Sequence, residues 1–234
     1  MADSTRRRNL TISPRADDVR RYLRQTKELF GDELYLNLQP QSQLLDESFD
    51  TDLAAFEQEI CTCQKCPLGQ TRNKFVFGVG DPNASLLLVG EAPGAEEDRL
   101  GEPFVGRAGK LLDKILAAID RNRHKDVYIC NVLKCRPPNN RDPLRAEVDQ
   151  CEPYLLHQIH LIKPKLIVAL GRVAGQTLLN VDKSLKSLRN IFHDYHGTPL
   201  MVTYHPAALL RNQDLKRPTW EDFKTIKDFL EQSN

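Results

Sequence analysis

The sequence predicts an α/β protein, a three-layer αβα sandwich around a central, mainly parallel, four-stranded sheet. Two observations carry this expectation. Four short apolar runs, at 85–89, 127–131, 166–170 and 200–204, lack polar alternation over most of their length, as strands covered on both faces do. Helical periodicity fills the intervals between them, and strands alternating with helices build βαβ units.

In chain order, the first fifty residues differ from the rest. Residues 16–30 have the pattern of an amphipathic helix with Val19, Tyr22, Leu23 and Phe30 on one side and Gly31 as its stop. Residues 38–52, rich in Gln, Ser and Asp, read as a linker. Residues 1–51 are therefore an N-terminal polar extension, read either as a solvated tail or as a docking helix for a partner. Residues 52–234 form the main domain.

Leu53, Phe56 and Ile60 then sit at helical spacing, on a helix running toward Cys61. Residues 106–120 place Leu111, Leu112, Ile115, Leu116 and Ile119 on one side of a second helix. Residues 144–162 carry Val148, Leu155, Leu156 and Ile159 on a third, and 171–179 form a short fourth. A last helix, 219–231, presents Trp220, Phe223, Ile226, Phe229 and Leu230. Residues 75–79 and 194–196 are candidate edge strands.

Composition narrows the function. The chain of 234 residues is 40% hydrophobic and 28% charged, which excludes a wholly disordered protein. It has 33 basic and 32 acidic side chains, net +1, so any nucleic-acid surface is a local patch. No apolar run approaches the roughly 18 residues of a membrane span. No apolar segment follows the first residues, so the expected location is the cytoplasm, where structural disulfides are rare. The six cysteines then point to a metal or cofactor.

In open α/β sheets ligands bind beyond the carboxyl ends of the strands, so the strand-exit loops are the places to search. The first is Gly90-Glu91-Ala92-Pro93-Gly94, a tight turn whose backbone N–H groups can face a ligand. It is neither a Walker loop nor a Gly-x-Gly-x-x-Gly fingerprint. The second opens with Asn131, whose amide has a donor and an acceptor in one plane, suited to a base edge. The fourth opens with His205-Pro206, and the His is a candidate donor to a developing anion. Each has a plainer reading: a strand-exit turn, a capping Asn, a structural His. Phe104, within Pro103-Phe104-Val105-Gly106, is a candidate stacking platform.

Cys63-Gln64-Lys65-Cys66 is a Cys-x-x-Cys pair, and Cys135 and Cys151 follow at a distance. Four such thiolates suit either a tetrahedral zinc site or an iron–sulfur cube, and spacing alone does not separate the two. Cys130 lies inside an apolar run and reads as a buried side chain, while Cys61 reads as a spare.

Together, in order, Gly90–Gly94, Pro103–Gly106, the run Asn131-Val132-Leu133-Lys134-Cys135-Arg136-Pro137-Pro138-Asn139 and His205-Pro206 resemble the family 4 uracil-DNA glycosylases, the iron–sulfur branch of that superfamily. The resemblance runs from about Cys63 to the C-terminus. It implies a [4Fe-4S] cluster on Cys63, Cys66, Cys135 and Cys151. It implies a uracil pocket from Gly90, Glu91, Ala92, Phe104, Asn131 and His205, with catalysis by His205 and Asn131; Glu91 or Glu97 is the candidate assisting carboxylate. The better-known family 1 carries an Asp and a Tyr in its first motif; here Ala92 and Gly94 take their places.

The implied reaction is hydrolysis of the N-glycosidic bond of deoxyuridine in DNA, with the base everted from the stack. Leu209 and Leu210 beside Arg211 are the candidate wedge. Arg136, with Lys134, Arg141, Arg145, Arg211 and Arg217, forms a candidate DNA patch. The expected partner is uracil-containing DNA, and the expected state is a monomer. The alternatives are a non-catalytic iron–sulfur DNA-binding protein on the same scaffold and a zinc-stabilised nucleotide-binding module.

Overall fold

A computed structural model of the chain describes residues 52–232. The expected helix at 16–30 and the linker after it lie outside the described residues.

The described chain opens with α1 (Leu53–Ile60), capped by Asp52, whose side chain accepts from the Ala55 N–H at 2.8 Å. Then come α2 (Leu68–Thr71), β1 (Val79–Gly80), β2 (Leu86–Gly90), α3 (Ala95–Leu100), α4 (Arg107–Ala118), β3 (Val127–Asn131) and α5 (Arg145–Ile162). The second half runs β4 (Leu166–Leu170), α6 (Arg172–Leu179), α7 (Leu185–Leu188), β5 (His193–Tyr195), β6 (Thr198–Thr203), α8 (Pro206–Arg211) and α9 (Lys216–Gln232).

The sheet has six strands in the order β1-β3-β2-β4-β6-β5: the four expected and two edge strands, which overlap the candidates at 75–79 and 194–196 at Val79 and at Asp194 and Tyr195. The four apolar runs are its parallel centre, and β1 and β5 add antiparallel edges. β1 is only two residues long, too short to alternate visibly. β5 and β6 are joined by His196 (φ 50°) and Gly197 (φ 86°), a two-residue connection with both φ positive that matches strand twist. That turn starts β6 at Thr198, two residues ahead of the apolar run, and the strand ends at Thr203 rather than residue 204.

Alternate residues of one strand feed two separate cores. Leu87 and Val89 of β2 pack with Phe56, Leu155 and Ile167, toward α1, α5 and α6. Leu86 and Leu88 pack with Leu112, Leu116, Phe223 and Ile226, toward α4 and α9. Helices thus flank both faces, which is why these strands lack polar alternation. Trp220 departs from the expected apolar side of α9: it is 40% exposed. No described helix is long and apolar enough to cross a membrane.

Candidate functional site

The last rung of the β2–β3 ladder pairs Gly90 with Asn131. The exits of these two strands therefore lie side by side. The pairing is tight. A Cβ on Gly90 would fall 2.3 Å from Asn131 Oδ1 and 2.8 Å from Phe104 Cε2 and Cζ. Only a glycine leaves room for both side chains.

Phe104 sits in the left-handed region at φ 54°, an uncommon conformation for a bulky residue. The surroundings hold it there. Arg123 donates to the Phe104 carbonyl at 2.9 Å and to the Pro103 carbonyl at 3.3 Å, and is itself paired with Asp113 at 2.6 Å. Glu97 Oε1 accepts from the N–H groups of Val105 and Gly106 at 3.1 and 3.3 Å. The ring centroid lies 5.4 Å from that of His205, with the planes tilted by 31°.

His205 follows β6 and caps α8. Its Nδ1 accepts from the Ala207 N–H at 3.1 Å, which places the proton of the neutral ring on Nε2. Enclosure of the ring lowers its pKa to about 4; Arg211 adds to this and Glu97 opposes it. At neutral pH the imidazole is an uncharged donor. Gly171, at φ 102°, approaches it from behind: a Cβ there would lie 3.0 Å from His205 Cβ.

These elements enclose a cavity of about 480 Å³, lined by Glu91, Ala92, Phe104, Asn131, His205 and Arg211 together with Glu97, Asn140, Asp142 and Arg172. That volume is ample for a pyrimidine ring. Of the expected pocket residues, Gly90 alone is not among the lining; it lies beneath, as the space Asn131 and Phe104 occupy. Burial and then Asp142 raise the Glu91 pKa to about 7, against the pull of Arg172, so this carboxyl titrates near neutrality.

Three contributors escaped the sequence reading: Arg123, Asp142 and the Gly171-Arg172 turn. Arg123 reaches the Phe104 loop from about twenty residues away, a relation that no local pattern displays.

The charged patch is smaller than expected. Lys134 is 0% exposed, so it belongs to the interior and not to a DNA surface. Its ammonium donates to the Asn131 carbonyl at 2.7 Å and to Gln158 Oε1 at 2.6 Å. Arg141 is clamped by Glu147 at 2.6 and 2.9 Å, and Arg145 pairs with Asp149 at 2.8 Å. Arg136 donates to Asn140 at the cavity rim, while Arg211 and Arg217 are exposed. Of the candidate wedge, Leu209 is only 2% exposed and packs inside, whereas Leu210 is 44% exposed.

The cysteines divide in two. Arg72 joins two of the separated segments, donating to the Cys63 carbonyl at 2.6 Å and to Cys135 Sγ at 3.4 Å. Tyr154 OH donates to Cys63 Sγ at 3.2 Å, and the Lys134 N–H to Cys151 Sγ at 3.3 Å. Burial, and then the neighbouring thiols Cys135 and Cys66 against the pull of Lys134, push the Cys151 thiol up to about 11; burial, then Cys66 and Cys63 against Arg72, raise Cys135. Cys151 therefore responds to Cys135 and Cys66, and Cys135 to Cys66 and Cys63. Cys61 instead turns its thiol onto the Gln58 carbonyl at 3.3 Å, and Cys130 is sealed in the sheet. Among the described residues, no three His, Cys, Asp or Glu side chains form a group that could hold a metal ion as they stand.

A six-stranded α/β scaffold with a cavity at its strand exits is the architecture of a ligand-binding or catalytic domain. Comparison with known proteins makes this specific. A sequence model of the uracil DNA glycosylase superfamily matches residues 77–224. A type-4 uracil-DNA glycosylase of Archaeoglobus fulgidus is 45% identical over 177 residues, spanning 72% of this chain and 88% of that protein. One of Thermotoga maritima is 43% identical, spanning 74% and 92%. A type-5 uracil-DNA glycosylase of Thermus thermophilus is 31% identical, spanning 75% and 95%. The chain belongs to the uracil-DNA glycosylase superfamily and, within it, to the type-4 enzymes.

Proposed function

We propose that the cavity performs uracil excision from DNA, in keeping with the family. The protein is a uracil-DNA glycosylase, a hydrolase of N-glycosyl bonds that acts in DNA repair. One observation carries the site assignment: Phe104, Asn131 and a neutral His205 line the same cavity.

An everted uracil stacks on Phe104, and the Asn131 amide donates to O4 and accepts from N3–H. Cytosine presents the opposite pattern and leaves both groups unpaired, at roughly 1–3 kcal/mol each. As the C1′–N1 bond breaks, its electron pair leaves with the base and charge develops on O2. His205 Nε2–H donates there. A donor of this kind contributes about 2.7–4 kcal/mol to the barrier reduction. Water oxygen then bonds to C1′ and gives up its proton. Ala92 offers no carboxylate for that proton, but Glu91 is adjacent and titrates near neutrality, so it is the acceptor. Leu210 fills the gap left by the base, and Arg136 and Arg211 meet the backbone phosphates.

Cys63, Cys66, Cys135 and Cys151 are the proposed ligands of a [4Fe-4S] cluster. Their donor set fits: Cys151 and Cys135 respond to the other thiols of the set, and O–H and N–H donors are aimed at Cys63, Cys135 and Cys151 as thiolates require. When bound, the cluster supplies iron–thiolate bonds that tie the α1–α2 segment to the loop after β3 and to α5. Brown protein with iron and sulfide supports this; colourless protein holding zinc refutes it.

The test of function is a uracil-containing oligonucleotide incubated with the protein and then treated with alkali. Cleavage at uracil is expected. An intact strand, bound but uncut, would favour a non-catalytic DNA-binding protein, a reading that leaves the convergence of Asn131 and His205 without use.

A further inference from the structure

We propose that Lys134 is a positioning residue that couples the four-cysteine site to Asn131, so that the cofactor site sets the placement of the base-reading amide. The inference rests on the pocket and cluster readings above.

Lys134 holds both ends of a short path. Its main-chain N–H donates to Cys151 Sγ at 3.3 Å, and its side chain turns back to the Asn131 carbonyl at 2.7 Å. Its immediate neighbour in sequence is Cys135. The same ammonium is held by Gln158, at 2.6 Å, and the Gln158 amide is in turn anchored on the Phe77 carbonyl at 3.1 Å. Cys151 and Gln158 lie seven residues apart on α5, two turns along one face. One helix face therefore grips Lys134 at its backbone and at its tip.

A fully buried ammonium is costly unless it is compensated. Both oxygens that accept from Lys134 are neutral, and among the described residues no carboxylate forms an ion pair with it. The same side chain also meets the buried Cys130 sulfur, and its charge acts on Cys151, so the Cys151 thiolate of a loaded site is its natural counter-charge. The position of Asn131 leaves little slack, because its amide already fills the space over Gly90. A displacement of the Asn131 main chain is thus passed directly to the amide that meets the base.

The test uses the full-length, iron-loaded protein and variants Lys134→Met and Gln158→Leu. Uracil affinity is read by equilibrium dialysis with labelled uracil. Iron content, the cluster's midpoint potential and affinity for uracil-free duplex are read alongside. Lys134→Met is expected to retain iron, to bind uracil about tenfold more weakly, as for one lost hydrogen bond to a charged group, and to keep its duplex affinity. Its midpoint potential is expected to fall, since removing a nearby cation favours the less negative oxidised cluster. Unchanged uracil affinity and unchanged potential in iron-loaded Lys134→Met would overturn the proposal. If that variant fails to fold or to hold iron, Gln158→Leu decides: weaker uracil binding at full iron content supports the coupling, and wild-type uracil binding refutes it. Wild-type protein that neither binds nor releases uracil would instead sink the pocket reading beneath it.

Discussion

The amide oxygen of Asn131 lies over the bare α-carbon of Gly90, its partner on the neighbouring strand, so close that a methyl group there would meet it at 2.3 Å. The two residues are 41 positions apart in the chain, yet neither side of the contact tolerates growth.

Gly90→Ala is the sharpest consequence. The added methyl displaces Asn131 or Phe104, and misplacement of a reacting group by about 1 Å costs on the order of 10²-fold in rate. Steady-state kinetics on a uracil oligonucleotide are expected to show that loss in kcat/KM with the circular dichroism spectrum unchanged. Wild-type kcat/KM in this variant would contradict the packing.

His205→Ala is expected to lower kcat by about 10²–10³ while DNA affinity, measured by fluorescence anisotropy, stays near wild type. Equal loss of binding and turnover would contradict a donor role. The His205 pKa near 4, below the unfolded value, also bears on stability. Between about pH 6.5 and 4 the unfolded chain binds more protons at this site, so stability falls as pH drops through that window. His205→Gln is expected to flatten that part of a Tm-versus-pH curve.

Glu91 works in the opposite direction. Its folded pKa of about 7 lies above the unfolded value, so stability falls as pH rises from about 4.5 to 7. As proton acceptor it must be ionised, so kcat is expected to rise with pH through about 7. Glu91→Gln should remove that limb and lower turnover, yet raise Tm at pH 8. A pH–rate profile with the limb intact in Glu91→Gln would exclude the role.

Metal content separates the cysteines. Cys63→Ala, Cys66→Ala, Cys135→Ala and Cys151→Ala are each expected to lose iron on purification. Cys61→Ala and Cys130→Ala should retain it, because one thiol faces the Gln58 carbonyl and the other is sealed in the sheet. Iron analysis of the six variants checks the assignment, and loss of iron from Cys61→Ala with retention in Cys63→Ala would reverse it.

The adjacent leucines of α8 should part company. Leu209→Ala opens a cavity and is expected to cost about 2–5 kcal/mol of stability. Leu210→Ala should leave Tm within about 2 °C, as exposed substitutions do, and slow excision from duplex more than from single strand. Duplex excision at the wild-type rate in Leu210→Ala would remove the wedge.

The central strands were legible because burial on both faces writes itself as unbroken apolar runs such as Leu86–Val89 and Leu166–Leu170. The edges were legible only in part: the candidate 194–196 overlaps β5 at Asp194 and Tyr195, whereas 75–79 meets β1 at Val79 alone, because Val79–Gly80 is shorter than any period. Asn131 and His205 were legible as side chains at strand exits, and Phe104 as an aromatic among glycine and proline just before α4. Lys134 misled because a lysine in a loop is ordinarily solvated, and its burial depends on acceptors at Asn131 and on Gln158 of a different helix. Leu209 and Leu210 were indistinguishable because six residues of α8 show no resolvable apolar face.

The Ala207 amide has a consequence beyond the tautomer it selects. It occupies the inner nitrogen of the imidazole before any nucleic acid arrives, so no dipole need turn and no proton need migrate when the glycosidic electrons move. The reorganisation that water would undergo around a nascent pyrimidine anion has been completed once, during folding, by a main-chain N–H that no side-chain substitution can delete and only a proline could remove.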